Sequence, residues 1–347
     1  MDFARLYHQH QDQLEDFWGR RTNEPVFQRE FTLFDRVIRL LSNDEGVIAA
    51  ADHAIPLYST APPANQPPLT IHLIVRPAPQ SPGPPPEDLL SLIRYTGYGD
   101  WLSLHIGPWG HCQINPRAGE AIAVLDPTLA QRPDLVSRGL LNTIFTNFFI
   151  GLGYGMLHCT GLWRQGRALL LMAPHNSGKS TTAFRLVLAG NQLISDSQIY
   201  VSPYQEQLQL MGFPVGRVKL RQDMVPLFPE IHHLLTPEPV RQETKQIFDL
   251  RQWQPELAIT KAVHPEVITL CLLRRSGQRE TRVEPAPLAT VWEAVMANSI
   301  FYDTAAAWQH NLQQAKRLIA AASHYHLVIG TEPTGIIAAV ERLWAEG

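Results

Sequence analysis

The sequence predicts an α/β (α+β) fold in which a β-rich N-terminal region precedes a domain built around a strand–loop–helix unit. Three observations lead to this prediction. Short apolar or alternating segments, separated by proline and glycine turns, recur through the first 130 residues, as strands do. Helical periodicity then begins near Pro133. Beyond it, the apolar segment RALLLM runs directly into a glycine-containing loop and an amphipathic helix. We therefore predict two regions, residues 1–130 and residues 131–347.

Length and composition restrict the class of protein. The chain has 347 residues, enough for one large domain or two ordinary ones. A net charge of −3 gives no basic surface of the kind that nucleic-acid-binding proteins carry, so we expect no nucleic-acid partner. The three cysteines are scattered, which favours neither a disulfide framework nor a zinc cluster. Because the first residues lack a signal-peptide pattern and no apolar stretch reaches the ~18 residues that cross a bilayer, we expect a cytoplasmic protein without membrane contact.

The N-terminal region contains several predicted strands. The first 25 residues have roughly helical spacing and predict a peripheral helix. In RVIRLLSNDEGVIAA, a strand precedes a helix, and Ser42 with Glu45 three residues later has the spacing of a capping box. The segments LTIHLIV, DWLSLHIG and EAIAVLD have the pattern of further strands. The residues do not indicate what this region does.

The second region alternates helices and strands. In PDLVSRGLLNTIFTNFFIGLG, apolar residues fall at helical intervals and predict a long helix with one buried face. The strand RALLLM, a loop over 173–178 and a helix that stops at Gly190 follow. We expect the next short strand, QLIS, to pair beside RALLLM, and IYVS and LQLMGF to form further strands.

The segment APHNSGKSTTAF, residues 173–184, has the order of a Walker A phosphate-binding loop. In that geometry Gly178 lets the backbone approach the phosphates, Lys179 reaches the β- and γ-phosphates, and Ser180 offers its hydroxyl to Mg²⁺. The predicted nucleotide contacts in the loop are Asn176, Ser177, Gly178, Lys179, Ser180 and Thr181. Ala173 replaces the usual first glycine and would be strained at positive φ. The alternative interpretation is a chance match at the start of a structural helix.

Two polar residues near the loop narrow its chemistry. Asp196 follows QLIS, where a carboxylate could ligate Mg²⁺ or accept a hydroxyl proton, although a turn-forming aspartate is the simpler interpretation. His158 precedes the strand that leads to the loop, and its simpler interpretation is a buried structural histidine. In FPVGRVKLR, Arg217 and Lys219 alternate with apolar residues and so share one face with Arg221. That face is either a solvated strand edge or a clamp on nucleotide phosphates or an acidic substrate.

The segment LHCTGLWRQGRALLLMAPHNSGKSTTAFRLVLAGNQLISDSQIYV resembles the HPr kinase/phosphorylase superfamily, particularly its HPr-kinase-related branch. The resemblance extends over about residues 133–222, and YHLVIGTEPTGIIAAVERL is similar to the closing strand and helix of that branch. It implies a P-loop kinase core of the HPr-kinase type with a phosphoenolpyruvate-carboxykinase-type loop, binding ATP and Mg²⁺ and phosphorylating a serine-like hydroxyl. By the match, Asp196 is the base, and His158 is an active-site partner near the transferring phosphate.

The chain also departs from that family. Ser197 stands where the family has a second aspartate, which leaves one expected metal ligand unassigned. Glu243 and Asp249 are candidates to replace it, although nothing in the sequence fixes their position. The glycine-rich segment with which phosphocarrier kinases grip their substrate is missing, so we do not expect HPr itself as acceptor.

These observations favour an ATP-dependent kinase that phosphorylates a hydroxyl on a peptide, a small protein or a small molecule. Two alternatives stay open: a nucleotide-binding sensor or scaffold without phosphate transfer, and an ATP hydrolase in which Asp196 orients water. A homo-oligomer is compatible with the sequence and is not required by it.

Overall fold

The computed structural model describes residues 26–54, 66–78, 80, 82–174, 177–240, 243–299, 305–332 and 334–346. The helix predicted for the first 25 residues lies outside them, as do His175 and Asn176 of the loop. The described residues form a mixed α/β fold with four sheets. They divide into two compact units, of which the first extends to Leu152 and the second begins at Gly153. Compactness thus groups residues 131–152 with the first unit, whereas the sequence predicts a boundary after residue 130.

The first unit is built on one seven-stranded sheet with the order β1-β2-β3-β7-β6-β5-β4, in which β2, β3 and β7 run parallel. Its strands are β1 (Phe27–Leu33), β2 (Arg36–Ser42), β3 (Leu69–Val75), β4 (Arg94–Tyr98), β5 (Trp101–His105), β6 (Gly110–Asn115) and β7 (Glu120–Leu125). Its helices are α1 (Glu45–Ala54), α2 (Pro127–Ala130), α3 (Pro133–Leu135), a π-helical segment (Val136–Leu141) and α4 (Asn142–Gly151), with short 3-10 turns at Leu89–Leu92 and Gly107–Trp109. The β-rich character predicted for this region is confirmed.

Two local predictions in this unit have different outcomes. The long helix is confirmed, because the helical run from Pro133 to Gly151 buries the apolar positions that the periodicity selected, such as Leu140 and Phe148. The capping box at Ser42 is wrong. Ser42 is the last residue of β2, and the Asp44 carboxylate accepts the Val47 N–H at 3.0 Å. An aspartate one residue before the helix is a stronger N-cap than a serine that the strand already holds.

The second unit contains the predicted loop. Its strands are β8 (Gly155–Leu157), β9 (Thr160–Arg164), β10 (Arg167–Met172), β11 (Gln192–Ser195), β12 (Gln198–Tyr204), β13 (Gln207–Phe213), β14 (Arg217–Arg221), β15 (Thr236–Val240), β16 (Glu243–Asp249), β17 (Val267–Arg275), β18 (Arg282–Pro285) and β19 (Ala322–Ile329). Its helices are α5 (Lys179–Leu188), α6 (Leu288–Asn298), α7 (Ala305–Ala321) and α8 (Thr334–Glu346), with 3-10 turns at Gln222–Leu227, Pro229–Leu234, Leu250–Gln252 and Pro255–Leu257.

The central sheet of this unit has the order β11-β9-β10-β17-β19-β18, and β10, β17 and β19 run parallel. The expectation that QLIS pairs beside RALLLM is wrong, because β9 lies between β11 and β10. The reason is a tight hairpin. Gln165 and Gly166 both have positive φ, as a two-residue turn of this kind requires, and they return the chain so that β9 pairs with β10.

Two smaller sheets complete the second unit, with the orders β13-β12-β8 and β14-β16-β15. Phe184 of α5 packs edge-on against Phe228 and Phe248 at centroid distances of 4.9 and 5.0 Å. This aromatic cluster joins the helix that follows the loop to the β14-β16-β15 sheet. Among the described residues, no helix combines the length and the apolar character needed to cross a membrane.

Candidate phosphate-binding site

The loop connects the end of β10 to the first turn of α5, in the strand–loop–helix order that the sequence predicts. Gly178 directly precedes the helix with φ of 99°, a left-handed conformation that a residue with a side chain rarely adopts. Ala173 is not strained, since the non-glycine residues with positive φ in the described part of the chain are Phe34, Gln165 and Gln205. Alanine therefore fits the backbone at position 173 without strain.

Lys179 folds back over the start of the loop. Its ammonium group donates hydrogen bonds to the carbonyl oxygens of Ala173 at 2.6 Å and Pro174 at 3.3 Å. Burial lowers the pKa of Lys179, and the negative charge of Asp196 opposes this effect. The lysine is thus a cation held by the loop itself, at the N-terminal end of a ten-residue helix whose dipole also favours anions.

Asp196 is buried beside the first turn of α5. Its carboxylate accepts hydrogen bonds from the Thr160 hydroxyl at 2.9 Å and from the Lys219 N–H at 3.2 Å, and the Ser180 hydroxyl lies near it. Burial raises the pKa of Asp196, and these hydrogen bonds and the charge of Lys219 lower it. The structure therefore brings together Ser180 and Asp196, the two residues predicted as Mg²⁺ ligands.

The strand pairing explains why these residues meet. β9 runs antiparallel to both of its neighbours, so its first residue lies beside the last residues of β10 and β11. Thr160 is opposite Leu171, and Gly161 is opposite Ser195. The loop, which follows β10, and Asp196, which follows β11, consequently lie at the same end of the strands. Ligands of open α/β sheets commonly bind at the carboxyl ends of strands.

Arg217 and Lys219 lie on one face of β14, and the predicted alternation is confirmed because Val218, between them, and Leu220, after Lys219, are buried. Both cations interact with Glu238 of β15. The Arg217 guanidinium bonds to this carboxylate, and Lys219 Nζ lies 3.8 Å from it. Arg221, at the end of the strand, pairs with Asp223 at 3.0 Å. The face is therefore a network of cations and carboxylates, and the backbone N–H of Lys219 joins β14 to Asp196.

His158 is exposed and lies two residues before Thr160, at the end of the strands where the loop begins. Its backbone N–H donates to Asn298 at 2.6 Å. The simpler interpretation from the sequence was a buried structural histidine, and the exposure of His158 does not agree with it.

The structure does not identify the second acidic metal ligand that the family resemblance implies beside Asp196. Ser197 donates its N–H to the Ser195 hydroxyl at 3.2 Å and adds no charge to the site. Asp249 accepts from the backbone and side chain of Arg251, both at 2.9 Å, and Glu243 is exposed. Within the part of the chain that the structure describes, no three His, Cys, Asp or Glu residues form a group that could hold a metal ion. Ser180 and Asp196 alone suit Mg²⁺ that takes its other ligands from phosphates and water.

Two residues at this site were not selected from the sequence. Thr160 is completely buried and donates to Asp196, but a threonine at the start of an apolar strand has no distinctive pattern. Arg275, at the end of β17, donates its Nε–H to the Ser177 carbonyl at 3.2 Å. The only available signal was a pair of arginines after the apolar run VITLCLL.

Comparisons with known proteins give a limited result. No protein-family model matches the sequence, and no curated protein matches it. Among solved structures, the Hpr(Ser) kinase/phosphatase from Coxiella burnetii is similar over 55% of this chain and 99% of that chain, with 12% sequence identity and a TM-score of 0.28. A likeness of this strength does not support a statement about activity.

Proposed function

We propose that this chain is an ATP-dependent kinase that transfers the γ-phosphate to a serine-like hydroxyl on a peptide, a small protein or a small molecule. The observation that carries the proposal is the contact between a loop-and-helix phosphate cradle and a buried carboxylate. Lys179 supplies a cation to the cradle, and the Ser180 hydroxyl lies near the Asp196 carboxylate. Phosphoryl transfer needs a cation for the phosphates, a hydroxyl that can ligate Mg²⁺ and a carboxylate that can act as a base, and these are the groups of Lys179, Ser180 and Asp196.

In the proposed reaction, the acceptor hydroxyl oxygen attacks the γ-phosphorus. A new O–P bond forms, and the bond between the γ-phosphorus and the bridging oxygen breaks, so ADP leaves with that oxygen. The acceptor proton passes to Asp196, whose raised pKa favours proton acceptance. Lys179 exchanges its bonds to the loop carbonyls for the β- and γ-phosphates. His158, exposed at the same end of the strands, is the proposed active-site partner near the transferring phosphate.

The residues present suit Mg²⁺ as the cofactor. When bound, the ion would neutralise negative charge on the nucleotide phosphates that otherwise repels the acceptor. Ser180 and Asp196 would hold it. The backbone N–H groups of Asn176, Ser177, Gly178 and Thr181, and the side chains of Asn176, Ser177 and Thr181, would complete the contacts to the nucleotide.

We further propose that Arg217 and Lys219 bind a phosphate or an acidic acceptor. Their present partner, Glu238, is an internal anion with a side chain that is only 12% exposed. A ligand phosphate would compete with this carboxylate for the two cations. Cations on a merely solvated strand edge would not need a carboxylate partner as buried as Glu238, so this burial favours the binding interpretation.

Incubation with γ-labelled ATP and Mg²⁺ tests the proposal. Free serine, seryl peptides and the proteins encoded beside this chain are the first acceptors to use. A kinase moves label to an acceptor, a hydrolase releases labelled phosphate, and a sensor leaves ATP intact. Absence of label on every acceptor, with ATP bound, would refute the kinase assignment.

One observation favours the sensor as the second candidate. Each Asp196 carboxylate oxygen already accepts a hydrogen bond from the protein, one from Thr160 and one from Lys219. A carboxylate held in this way can fix Ser180 without ever receiving a proton. Nucleotide binding with no turnover would support this candidate.

A further inference from the structure

Arg275 lies beside the loop because of the parallel pairing of β10 and β17. The last paired residues of the two strands are Met172 and Leu272. β17 continues for three more residues, while the chain after Met172 turns into the loop. The final residue of β17 therefore runs alongside the loop, although it is far from it in sequence.

The guanidinium group of Arg275 lies over the last two residues of the loop. Its Nε–H donates to the Ser177 carbonyl at 3.2 Å. A Cβ atom placed on Gly178 would lie 3.0 Å from Nη2 of the same group. The side chain is exposed, so the guanidinium is at the rim of the cradle and not within its core.

This geometry suits recognition of a phosphate. A guanidinium has five N–H donors in a planar fork that matches phosphate oxygens, and one of the five is used on Ser177. The loop backbone encloses the inner phosphates of a nucleotide, whereas the terminal phosphate extends toward the rim where an acceptor enters. Arg275 is the cation at that rim, next to Lys179 at the N-terminus of α5.

We propose that Arg275 binds the γ-phosphate of the nucleotide and neutralises the charge that develops on it during transfer. This inference rests on the proposed function, since it needs a nucleotide in the loop. It adds a discriminating role: Arg275 makes the site prefer a nucleoside triphosphate to a diphosphate.

The test is calorimetric titration of the full chain with ATP and, separately, with ADP, both with Mg²⁺. In Arg275→Gln, we expect ATP affinity to fall about tenfold to hundredfold while ADP affinity changes less than about threefold. Arg275→Lys keeps the charge without the fork and should recover part of the ATP affinity. Arg274→Gln is the matched control, because neighbouring strand residues point to opposite faces and Arg274 acts electrostatically on His326.

Each outcome has a defined meaning. An equal loss of ATP and ADP affinity would show that Arg275 only shapes the loop through Ser177, and would overturn the inference. Unchanged ATP affinity in Arg275→Gln would overturn it as well. If the wild-type chain bound neither nucleotide, the proposed function itself would fail; if the wild type bound ATP and only the discrimination were missing, the role of Arg275 alone would fail.

Discussion

Replacement of Asp196 by asparagine separates the chemical role of this residue from its structural role. The Asp196 carboxylate accepts hydrogen bonds from the Thr160 hydroxyl and the Lys219 N–H, and the Ser180 hydroxyl lies near it. An asparagine oxygen can still accept from Lys219, and its amide group can donate to the Thr160 hydroxyl, which also accepts. The hydrogen-bond network is thus kept, but the group can no longer take a proton.

The expected magnitudes follow from this geometry. Loss of charge-assisted hydrogen bonds costs stability, but burial of an ionised carboxylate also costs stability, so the two effects partly offset each other. We expect a net change in the free energy of unfolding within about 1–2 kcal/mol, a shift of a few degrees in Tm. ATP binding should persist. Phosphate transfer should fall by about 10² to 10⁴, the usual contribution of a positioned general base.

The assay is single-turnover transfer from γ-labelled ATP, with thermal unfolding measured on the same preparations. Asp100→Asn is the control, because it makes the same chemical change in an exposed ion pair, with Arg117, that belongs to the first unit. Titration with Mg²⁺ distinguishes two roles of Asp196: a metal ligand is compensated by more Mg²⁺, whereas a base is not. Transfer by Asp196→Asn at the wild-type rate at every Mg²⁺ concentration would refute the base assignment.

Three further predictions concern the surroundings of this carboxylate. Arg217→Gln with Lys219→Gln should lower ATP or acceptor affinity and also lower Tm, since Glu238 loses its ion pairs with these two cations. Adding Glu238→Gln should restore Tm but not affinity, and full affinity in the double variant would show that this face is only a solvated strand edge. Thr160→Val should cost about 1–2 kcal/mol of stability by removing a buried donor, while Thr160→Ser should not, as chemical denaturation will show. The pKa of Asp196 is raised in the folded state, so in Mg²⁺-free buffer the protonated carboxyl stabilises the fold at pH values below its usual pKa of 3.8, and this contribution is lost as pH rises through the folded-state pKa. The Tm of Asp196→Asn minus that of the wild type should therefore increase from acidic to neutral pH. A constant difference would contradict the assigned burial.

The elements that the sequence predicted well are those defined by neighbouring residues. β10, the loop and α5 follow one another directly, and the stop at Gly190, which has φ of 90°, needs only local information. The alternation on β14 and the buried face of the run from Pro133 to Gly151 are periodic patterns of the same kind. The wrong cap shows the limit of this approach, because Ser42 and Asp44 compete within one short segment and the strand decides the outcome.

The parts that could not be predicted depend on contacts between distant segments. Nothing local to QLIS shows that β9 separates it from the loop strand, because a hairpin formed earlier in the chain occupies that place. The bond from Lys219 to Asp196 and the approach of Arg275 to the loop likewise arise from strand order. The candidate site was therefore predicted at the loop and at Asp196, and was missed where tertiary pairing supplies Thr160 and Arg275.

The central claim is that the loop at residues 173–178 binds a nucleotide through Lys179. Calorimetric titration of the wild-type chain and of Lys179→Ala with ATP and Mg²⁺ tests it most directly, because the hydrogen bonds of Lys179 in the described part of the chain go to carbonyl oxygens of the loop. We predict saturable binding of one ATP per chain in the wild type and a loss of at least about tenfold in affinity in Lys179→Ala, as expected for a charged hydrogen bond to phosphate. Equal ATP affinity in the two proteins, or no binding in the wild type, would contradict the account.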